Sequence, residues 1–353
     1  MNLTRLELRR FTVFEDAVLE FDRGVNVLTG ENGSGKSHVL KLVYALAECG
    51  RREALSLTDP VQPGASFDER VKSMLMGLFL PDSPGRLVKR AVGRRKAKVR
   101  LVWDTGASVE AEITSLGGVR ARLAGDLRQV VPAVFLPPRE MISAFPGFLG
   151  SWLKRESSFD RTYYELCVAL DAKPLRGPRS PARGALLAPL EKAIGGTLDL
   201  VNGRFYCHQQ NGENLEAPLM AEGLRKLGTL AWLTLNGSLM DRGLLCWDEP
   251  EANLNPRLVT LVRDTLLALV GAGAQALVAT HDYLLASELS LASEYATDEP
   301  PRLTRFHALT HGKKGIEVER AALFQSLSAN AILDAFGAHH DRRRELFLRG
   351  QEQ

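Results

Sequence analysis

The stretch VNVLTGENGSGKSHVL, residues 25–40, constrains the fold of this chain more than any other feature. Its residues 30–37 read GENGSGKS and match the pattern G-x-x-x-x-G-K-[ST] at each fixed position. An apolar run at 25–29 predicts a strand before the loop, and residues 36–46 predict a helix after it. A glycine loop in this strand–loop–helix context predicts a phosphate-binding site.

The loop chemistry identifies candidate nucleotide contacts. Glycines let successive backbone N–H groups converge on phosphate oxygens, and the following helix points its positive end at the anion. Lys36 is expected to reach the β and γ phosphates, and the Ser37 hydroxyl to ligate Mg²⁺. The predicted nucleotide-binding residues of this segment are Gly30, Asn32, Gly33, Ser34, Gly35, Lys36, Ser37 and His38.

A second stretch, LLCWDEPEANLNP at 244–256, brings two carboxylates to the end of an apolar strand. Ligands of open α/β sheets bind at the carboxyl ends of their strands. Asp248 is therefore a candidate Mg²⁺ ligand, and Glu249 is a candidate general base or positioning group for an attacking water. A solvated acidic loop is the alternative, which the nearby phosphate loop disfavours.

A third stretch, VATHD at 278–282, contains the end of another apolar strand, 275–280. His281 lies just beyond that strand and is predicted to contact a γ-phosphate. Taken alone, a single histidine is more often structural. Its position after an acidic pair favours the catalytic interpretation.

The remaining pattern predicts a soluble α/β protein. Residues 97–103 and 107–113 alternate apolar and polar around an Asp-Thr-Gly turn, which predicts a hairpin. From residue 222 onward, amphipathic helices alternate with apolar strands, as in a parallel sheet covered by helices. Residues 150–200 are predicted to be helical but broken by prolines. The tail from about Glu317 is predicted to form one more charged helix.

Composition narrows the functional class. Four well-separated cysteines without a C-x-x-C pair favour a reducing compartment and disfavour a zinc site. The N-terminal MNLTRLELRRF has no apolar core of a signal peptide, and the longest apolar run, 265–280, is interrupted by Gln275. We therefore expect a cytoplasmic protein. A net charge of +3 is too small to indicate a nucleic-acid binder by itself.

The three motifs, in this order, resemble the Walker A, Walker B with D-loop, and switch-histidine motifs of ABC-type ATPases. The N-terminal LTRLELRRFTVFEDAVLEF is similar to the RecF, SMC and OLD branch. DEPEANLNP is similar to the OLD-like form, with Asn255 at the D-loop position. The resemblance covers most of the chain and implies ATP as the nucleotide, with Mg²⁺.

This resemblance implies an α/β P-loop NTPase of ABC-ATPase type: a mixed central sheet, an antiparallel β lobe and a helical lobe. It divides the chain into residues 1–135 with Walker A and the β lobe, 136–235 as the helical lobe, and 236–353 with the remaining motifs and a C-terminal helix. No sustained heptad predicts a coiled-coil arm. Too few residues follow His281 for a TOPRIM nuclease.

The stretch MAEGLRKLGTLAWL at 220–233 occupies the position of the ABC signature but lacks Ser-Gly-Gly-Gln. In the family, this helix start faces the γ-phosphate bound to the other subunit. Glu222 and Gly223 are the candidate contacts, with Gly223 donating a backbone N–H. Glu222 either repels the phosphate, caps the helix, or pairs with Arg225 or Lys226. An ordinary amphipathic helix is the alternative.

Two further segments leave alternatives open. FLPPREMISAFPGF at 135–148 lies at the family's Q-loop but has no glutamine; Arg139 or Glu140 substitutes as a sensor, or the Pro-Pro turn is simply rigid. GRLVKRAVGRRKAKVR at 85–100 contains eight basic residues and no acid. A solvated sheet face, with Glu110 and Glu112 opposite Lys98 and Arg100, is favoured over a nucleic-acid contact.

The function expected from these features is an ATPase that hydrolyses ATP to ADP and phosphate. We expect a homodimer, or a higher even oligomer, that closes around ATP. We also expect it to regulate a separate effector, a nuclease or toxin encoded nearby, in bacterial anti-phage defence, with no membrane partner. A RecF-like DNA-maintenance ATPase is the alternative. A transporter subunit is disfavoured by the missing Ser-Gly-Gly-Gln.

Overall fold

A computed structural model describes residues 1–239, 243–295 and 304–351. The strands are β1 (Leu3–Arg9), β2 (Asp16–Glu20), β3 (Val25–Gly30), β4 (Lys96–Trp103), β5 (Ser108–Thr114), β6 (Val119–Ala124), β7 (Ala133–Leu136), β8 (Gly196–Val201), β9 (Arg204–Gln209), β10 (Asn214–Glu216), β11 (Leu244–Asp248), β12 (Gln275–Ala279), β13 (Thr304–His311) and β14 (Ile316–Ala321). The helices are α1 (Lys36–Ala54), α2 (Phe67–Phe79), α3 (Phe148–Leu153), α4 (Arg161–Asp171), α5 (Pro181–Ile194), α6 (Glu222–Leu235), α7 (Val259–Gly271), α8 (Tyr283–Glu294) and α9 (Ala331–Gln351).

The central sheet has the strand order β14-β13-β3-β12-β11-β7, and it is parallel except for β14. Strands β3, β11 and β12 are buried at each position, because helices cover both faces of the sheet. On β12, Leu277 packs in the core that includes α1, and Val278 packs in the core that includes α7. The predicted mixed central sheet is confirmed.

The predicted antiparallel lobe is a sheet of order β2-β1-β4-β5-β6. In the predicted β4–β5 hairpin, Lys98 lies opposite Glu112 and Arg100 lies opposite Glu110. Lys96 donates to Glu112 at 2.7 Å, and Lys98 lies 3.6 Å from the same carboxylate. Acidic and basic side chains therefore alternate across this face, as the solvated-face interpretation expects.

The helical lobe contains α3 to α6 and a small sheet of order β10-β9-β8 that the sequence pattern did not reveal. The prolines mark helix starts as well as loops: Ser180 caps α5, and Pro181 is its first residue. Glycine Gly195 ends α5 in the left-handed conformation with φ 76°. The domain boundaries at 135/136 and 235/236 remain predictions.

The expectation of a helix from Glu317 is wrong. Glu317 belongs to β14, and the C-terminal helix α9 begins at Ala331. The segment alternates Ile316 and Val318 with Glu317 and Glu319, a period of two that suits a strand paired with β13. In the described ranges, no helix is long and apolar enough to cross a membrane.

Candidate active site

The motif residues converge at one edge of the central sheet. Strands β3, β12 and β11 are parallel neighbours, with Val27 paired to Val278 and Asp248 paired to Ala279. Their carboxyl ends therefore deliver the glycine loop, the Thr-His-Asp turn and the acidic pair to the same place. This is the edge at which ligands of open α/β sheets bind.

The glycine loop has the backbone of an anion cradle. Gly30 has φ 144°, and a Cβ there would meet the Leu309 oxygen at 2.3 Å. Gly35 has φ 96° and precedes α1, whose first turn contains no acidic residue. The Ser34 hydroxyl is buried without a hydrogen-bond partner among the described residues. An unpaired donor beside an open helix start fits a bound phosphate.

The lysine of the loop is folded inward. Lys36 Nζ donates to the Gly30 oxygen at 2.7 Å and to the Glu31 oxygen at 3.0 Å. Burial lowers the pKa of Lys36, and the carboxylates of Asp248 and Glu249 oppose that shift. Asn32 and Gly33 lie exposed at the tip of the same loop. The Lys36 ammonium therefore already lies against the phosphate-binding loop.

Asp248 and Ser37 are neighbours across the cradle, and the Ser37 hydroxyl acts to lower the pKa of the Asp248 carboxyl. Asp248 is 4% exposed, and burial raises its pKa to about 6, against the nearby charges of Lys41 and Lys36. A buried carboxylate next to a hydroxyl oxygen is the donor set that Mg²⁺ prefers. The pair that the sequence predicted as metal ligands is thus adjacent and fits the ion.

Glu249 has a backbone conformation that non-glycine residues rarely adopt, with φ 49°. Its N–H donates to the Ala279 oxygen at 2.9 Å, and its carbonyl accepts from Lys226 Nζ at 2.7 Å. These bonds fix the direction of the side chain. His281 Nδ1 then lies 3.6 Å from Glu249 Oε1, so the predicted base and the predicted switch histidine are neighbours.

His38 opens toward a cleft beside the start of α1. Its Nδ1 is 3.1 Å from the Thr12 hydroxyl, and its ring meets the edge of Phe79. Burial, and then the charge of Lys41, lowers the pKa of His38. A neutral ring, an aromatic wall and the flanking Lys89 line this cleft. It is adjacent to the phosphate cradle and has room for a further part of the nucleotide.

Helix α6 begins against the loop that follows β11. A Cβ on Gly223 would meet the Asn253 oxygen at 2.8 Å, so only glycine permits this approach. Glu222 accepts a hydrogen bond from Asn253 Nδ2 at 2.8 Å. Among the described residues, Glu222 neither caps α6, whose N-cap is Ala221, nor forms an ion pair with Arg225 or Lys226. Arg225 pairs with Glu140, and Lys226 Nζ donates to the main-chain oxygens of Glu249 and Ala252.

Asn255 and Glu140 have local partners as well. The Asn255 side chain accepts from the Arg257 N–H at 3.0 Å and begins a 3₁₀ turn. The Glu140 side chain is 4% exposed, and Arg225 Nε donates to it at 2.6 Å. The segment after β7 is therefore tied to α6 by an ion pair. The roles of both residues toward nucleotide remain predictions.

Sequence reasoning missed three residues that shape the site: Lys226, Glu251 and Thr280. Lys226 Nζ also donates to the Ala252 oxygen at 3.1 Å. Glu251 accepts from the Thr280 hydroxyl at 2.7 Å and is largely buried. The second glutamate of DEPE, Glu251, could have indicated a further site residue. A second acid so close to the acidic pair is costly to bury unless it has partners.

Comparisons with known proteins agree with this geometry. A family model described as "AAA domain, putative AbiEii toxin, Type IV TA system" matches residues 110–287. A second model, described as "AAA domain", matches residues 5–48. The first match spans 178 of 353 residues, which is just over half of the chain.

Curated relatives match over shorter stretches. The chain is 49% identical over 47 residues to the DNA replication and repair protein RecF of Pediococcus pentosaceus, covering 13% of each chain. It is 34% identical over 121 residues to RecF of Edwardsiella ictaluri, covering 33% of this chain and 31% of that protein. The chain therefore matches less than a third of the length of either relative.

Solved structures resemble the whole chain in fold. A crystal structure of an Smc head bound to the C-winged helix domain of ScpA has a TM-score of 0.57 at 15% identity, covering 93% of this chain and 99% of that one. An Smc head domain with an extended coiled coil, bound to the C-terminal domain of ScpA derived from Pyrococcus furiosus, has a TM-score of 0.53 at 13% identity. It covers 97% and 99% of the two chains. At these identities the similarity shows the fold.

Proposed function

Because this chain belongs to the AAA-domain family described as a putative AbiEii toxin of a type IV toxin–antitoxin system, we propose that it hydrolyses ATP. We further propose that two copies close around the nucleotide and thereby regulate a separate effector. The proposed ATPase activity is supported by one observation: Lys36, Asp248 and His281 converge at the same edge of the central sheet.

The loop residues bind the triphosphate. The amides of Gly33 and Gly35 and the start of α1 hold phosphate oxygens, and Lys36 neutralises the β and γ phosphates. Ser37 and Asp248 hold Mg²⁺, which supplies positive charge to the phosphate oxygens. The neighbouring Ser34 hydroxyl, which has no partner among the described residues, gains an acceptor.

Glu249 acts on the attacking water. Its left-handed backbone, held by Ala279 and Lys226, aims the carboxylate out from the end of β11. His281 is half-exposed and 3.6 Å away, so its ring reaches the terminal phosphate on the same side. A carboxylate in this position orients the water and accepts its proton as the bond to phosphorus forms.

A second copy completes the site. Glu222 is exposed at the start of α6 and is turned toward Asn253 of its own chain. With its carboxylate held by that amide, Glu222 leaves the positive end of the α6 dipole to face a nucleotide on the partner. In this head-to-tail arrangement, two ATP molecules lie at one interface. Asn255 lies near both subunits.

The effector role is supported by the family description, which names a toxin and a toxin–antitoxin system. ATP binding closes the dimer and hydrolysis opens it. The effector protein responds to the change between the closed and open states. The effector is a nuclease or toxin encoded nearby, and its use is defence against phage. A RecF-like role in DNA maintenance is the second candidate, favoured by the RecF relatives and the basic segment at 85–100.

The ATPase half is tested with Lys36→Ala. Removing the ammonium should abolish both nucleotide binding, measured by calorimetry, and phosphate release. Lys192→Met, which removes an exposed lysine of α5, is the matched control and should leave both unchanged. Undiminished ATP binding by Lys36→Ala would refute the assignment of the loop.

The two biological roles are separated by infection and DNA-binding assays. Cells carrying the chain with its neighbouring reading frames should resist phage, and Lys36→Ala should lose that protection. If the DNA-maintenance role is correct instead, the purified chain binds DNA in a salt-sensitive manner. In that case, charge reversal at Arg94, Arg95 and Lys96 abolishes binding.

A further inference from the structure

Glu251 is a buried carboxylate beside the candidate active site with no role in the scheme above. It lies three residues after Asp248, and its side chain is 8% exposed. Its Oε1 accepts a hydrogen bond from the Thr280 hydroxyl at 2.7 Å and a longer one from the His281 N–H at 3.3 Å. Both donors belong to the turn after β12, so one oxygen joins two neighbouring loops.

The same oxygen is close to the His281 ring. His281 Nδ1 lies 3.7 Å from Glu251 Oε1 and 3.6 Å from Glu249 Oε1. The ring is therefore held between two carboxylates, one fairly exposed and one buried. His281 is half-exposed, and Glu251 Oε1 contacts both its main-chain N–H and its ring.

Keeping this carboxylate buried is costly. The second oxygen, Oε2, is buried without a hydrogen-bond partner among the described residues, and burial raises the pKa of Glu251. An unpaired buried polar atom destabilises a fold unless something compensates for it. Lys226 supplies partial compensation, since Glu251 is the carboxylate that most opposes the burial-driven fall in the pKa of Lys226.

We propose that Glu251 is a positioning residue: through Oε1 it fixes Thr280 and the main chain of His281, and so holds the His281 ring beside Glu249. This inference rests on the proposed function, because it takes Glu249 and His281 as the groups that act on ATP. Glu251 itself touches no substrate. Its effect on turnover passes through His281.

A mutant cycle on Glu251 and His281 tests this inference. In Glu251→Ala, kcat should fall on the order of 10–100-fold, because displacing a catalytic group by about 1 Å has that effect. The KM for ATP should change less than about twofold, since the phosphate cradle is intact. In a His281→Ala background, adding Glu251→Ala should cost nothing further.

Conservative replacement gives the second readout. Glu251→Gln keeps an acceptor oxygen for Thr280 and His281, so it should retain about a third or more of wild-type kcat by the same positioning logic. It also keeps the inference testable if Glu251→Ala does not fold. A Gln variant as impaired as the Ala variant, effects that multiply in the double variant, or a change in KM alone would overturn the inference.

The controls separate this inference from the proposed function. Glu213→Gln alters an exposed glutamate of the β9–β10 turn and should leave kcat unchanged. If Glu249→Gln hydrolyses ATP at the wild-type rate, the proposed function is wrong. If Glu249→Gln is inactive while Glu251→Ala hydrolyses at the wild-type rate, only the role of Glu251 is wrong.

Discussion

The ammonium of Lys226 in α6 lies 2.7 Å from the main-chain oxygen of Glu249 and 3.1 Å from that of Ala252. One buried side chain thus ties the start of the signature-like helix to the turn that carries the proposed base. Burial lowers the pKa of Lys226 to about 8, and the neighbouring carboxylates, Glu251 first, resist that fall. A movement of α6 is therefore transmitted directly to the main chain of Glu249.

Replacing this lysine should slow turnover without weakening nucleotide binding. In Lys226→Met the two carbonyls lose their donor, and the strained turn at Glu249 is free to relax. We expect kcat to fall by about tenfold or more, with unchanged ATP affinity, because only the orientation of the base is altered. Steady-state kinetics beside the Lys192→Met control check this, and a wild-type kcat would show that the tie is dispensable.

Arg161 joins the helical lobe to the loop after α1. It is fully buried, with Nε 2.8 Å from Glu165 and a terminal nitrogen 2.9 Å from Asp59. Arg161→Met leaves the buried Asp59 without its cation and leaves Glu165 with Arg52 alone, so the free energy of unfolding should fall by about 3–5 kcal/mol. Urea unfolding measures this change.

The matched control is Arg128→Met, which removes an arginine from an exposed pair with Asp126. Surface pairs contribute little, so its unfolding midpoint should not move. A loss below about 1 kcal/mol for Arg161→Met would show that Asp59 and Glu165 find other partners.

His307 should make the protein acid-sensitive. It lies buried in β13, where burial, followed by the charges of Arg320 and Arg305, lowers its pKa to about 3. A depressed histidine pKa means that the unfolded chain takes up the proton first. Stability is therefore complete above about pH 6.5 and falls, by up to about 1.4 kcal/mol per pH unit, as the pH drops toward 3.

The variant His307→Gln removes that titration. Urea unfolding at pH 7.5, 6.5 and 5.5 should show a smaller loss of stability for the variant than for wild type. Between pH 6.5 and 5.5, the slopes of unfolding free energy against pH for the two proteins should differ by an amount approaching the uptake of one proton per molecule on unfolding. Parallel pH dependences for the two proteins would mean that His307 is charged or accessible in the fold.

The sequence predicted the site better than it predicted its surroundings. The glycine loop, the acidic pair and the histidine each follow an apolar strand. The rule that parallel strands end at one edge was therefore enough to bring Lys36, Asp248 and His281 together. Strand β14 was missed because its charged residues, Glu317 and Glu319, were interpreted as part of a charged helix.

Contacts between distant segments were beyond the sequence pattern. Glu222 was expected to find a neighbour on its own helix, yet its partner Asn253 is 31 residues away. Lys226 was considered only as a partner of Glu222, but α6 packs it against the turn after β11, where it is buried. Periodicity locates the face of a helix; it does not name the loop that packs on that face.

Glu249→Gln is the variant that tests the proposed closure of two copies around ATP. The variant keeps Lys36, Ser37 and Asp248, so it should bind ATP with Mg²⁺ but fail to hydrolyse it. Light scattering coupled to size-exclusion chromatography should then find a dimer with ATP and a monomer without it. A variant that binds ATP with Mg²⁺ and remains a monomer would contradict the account.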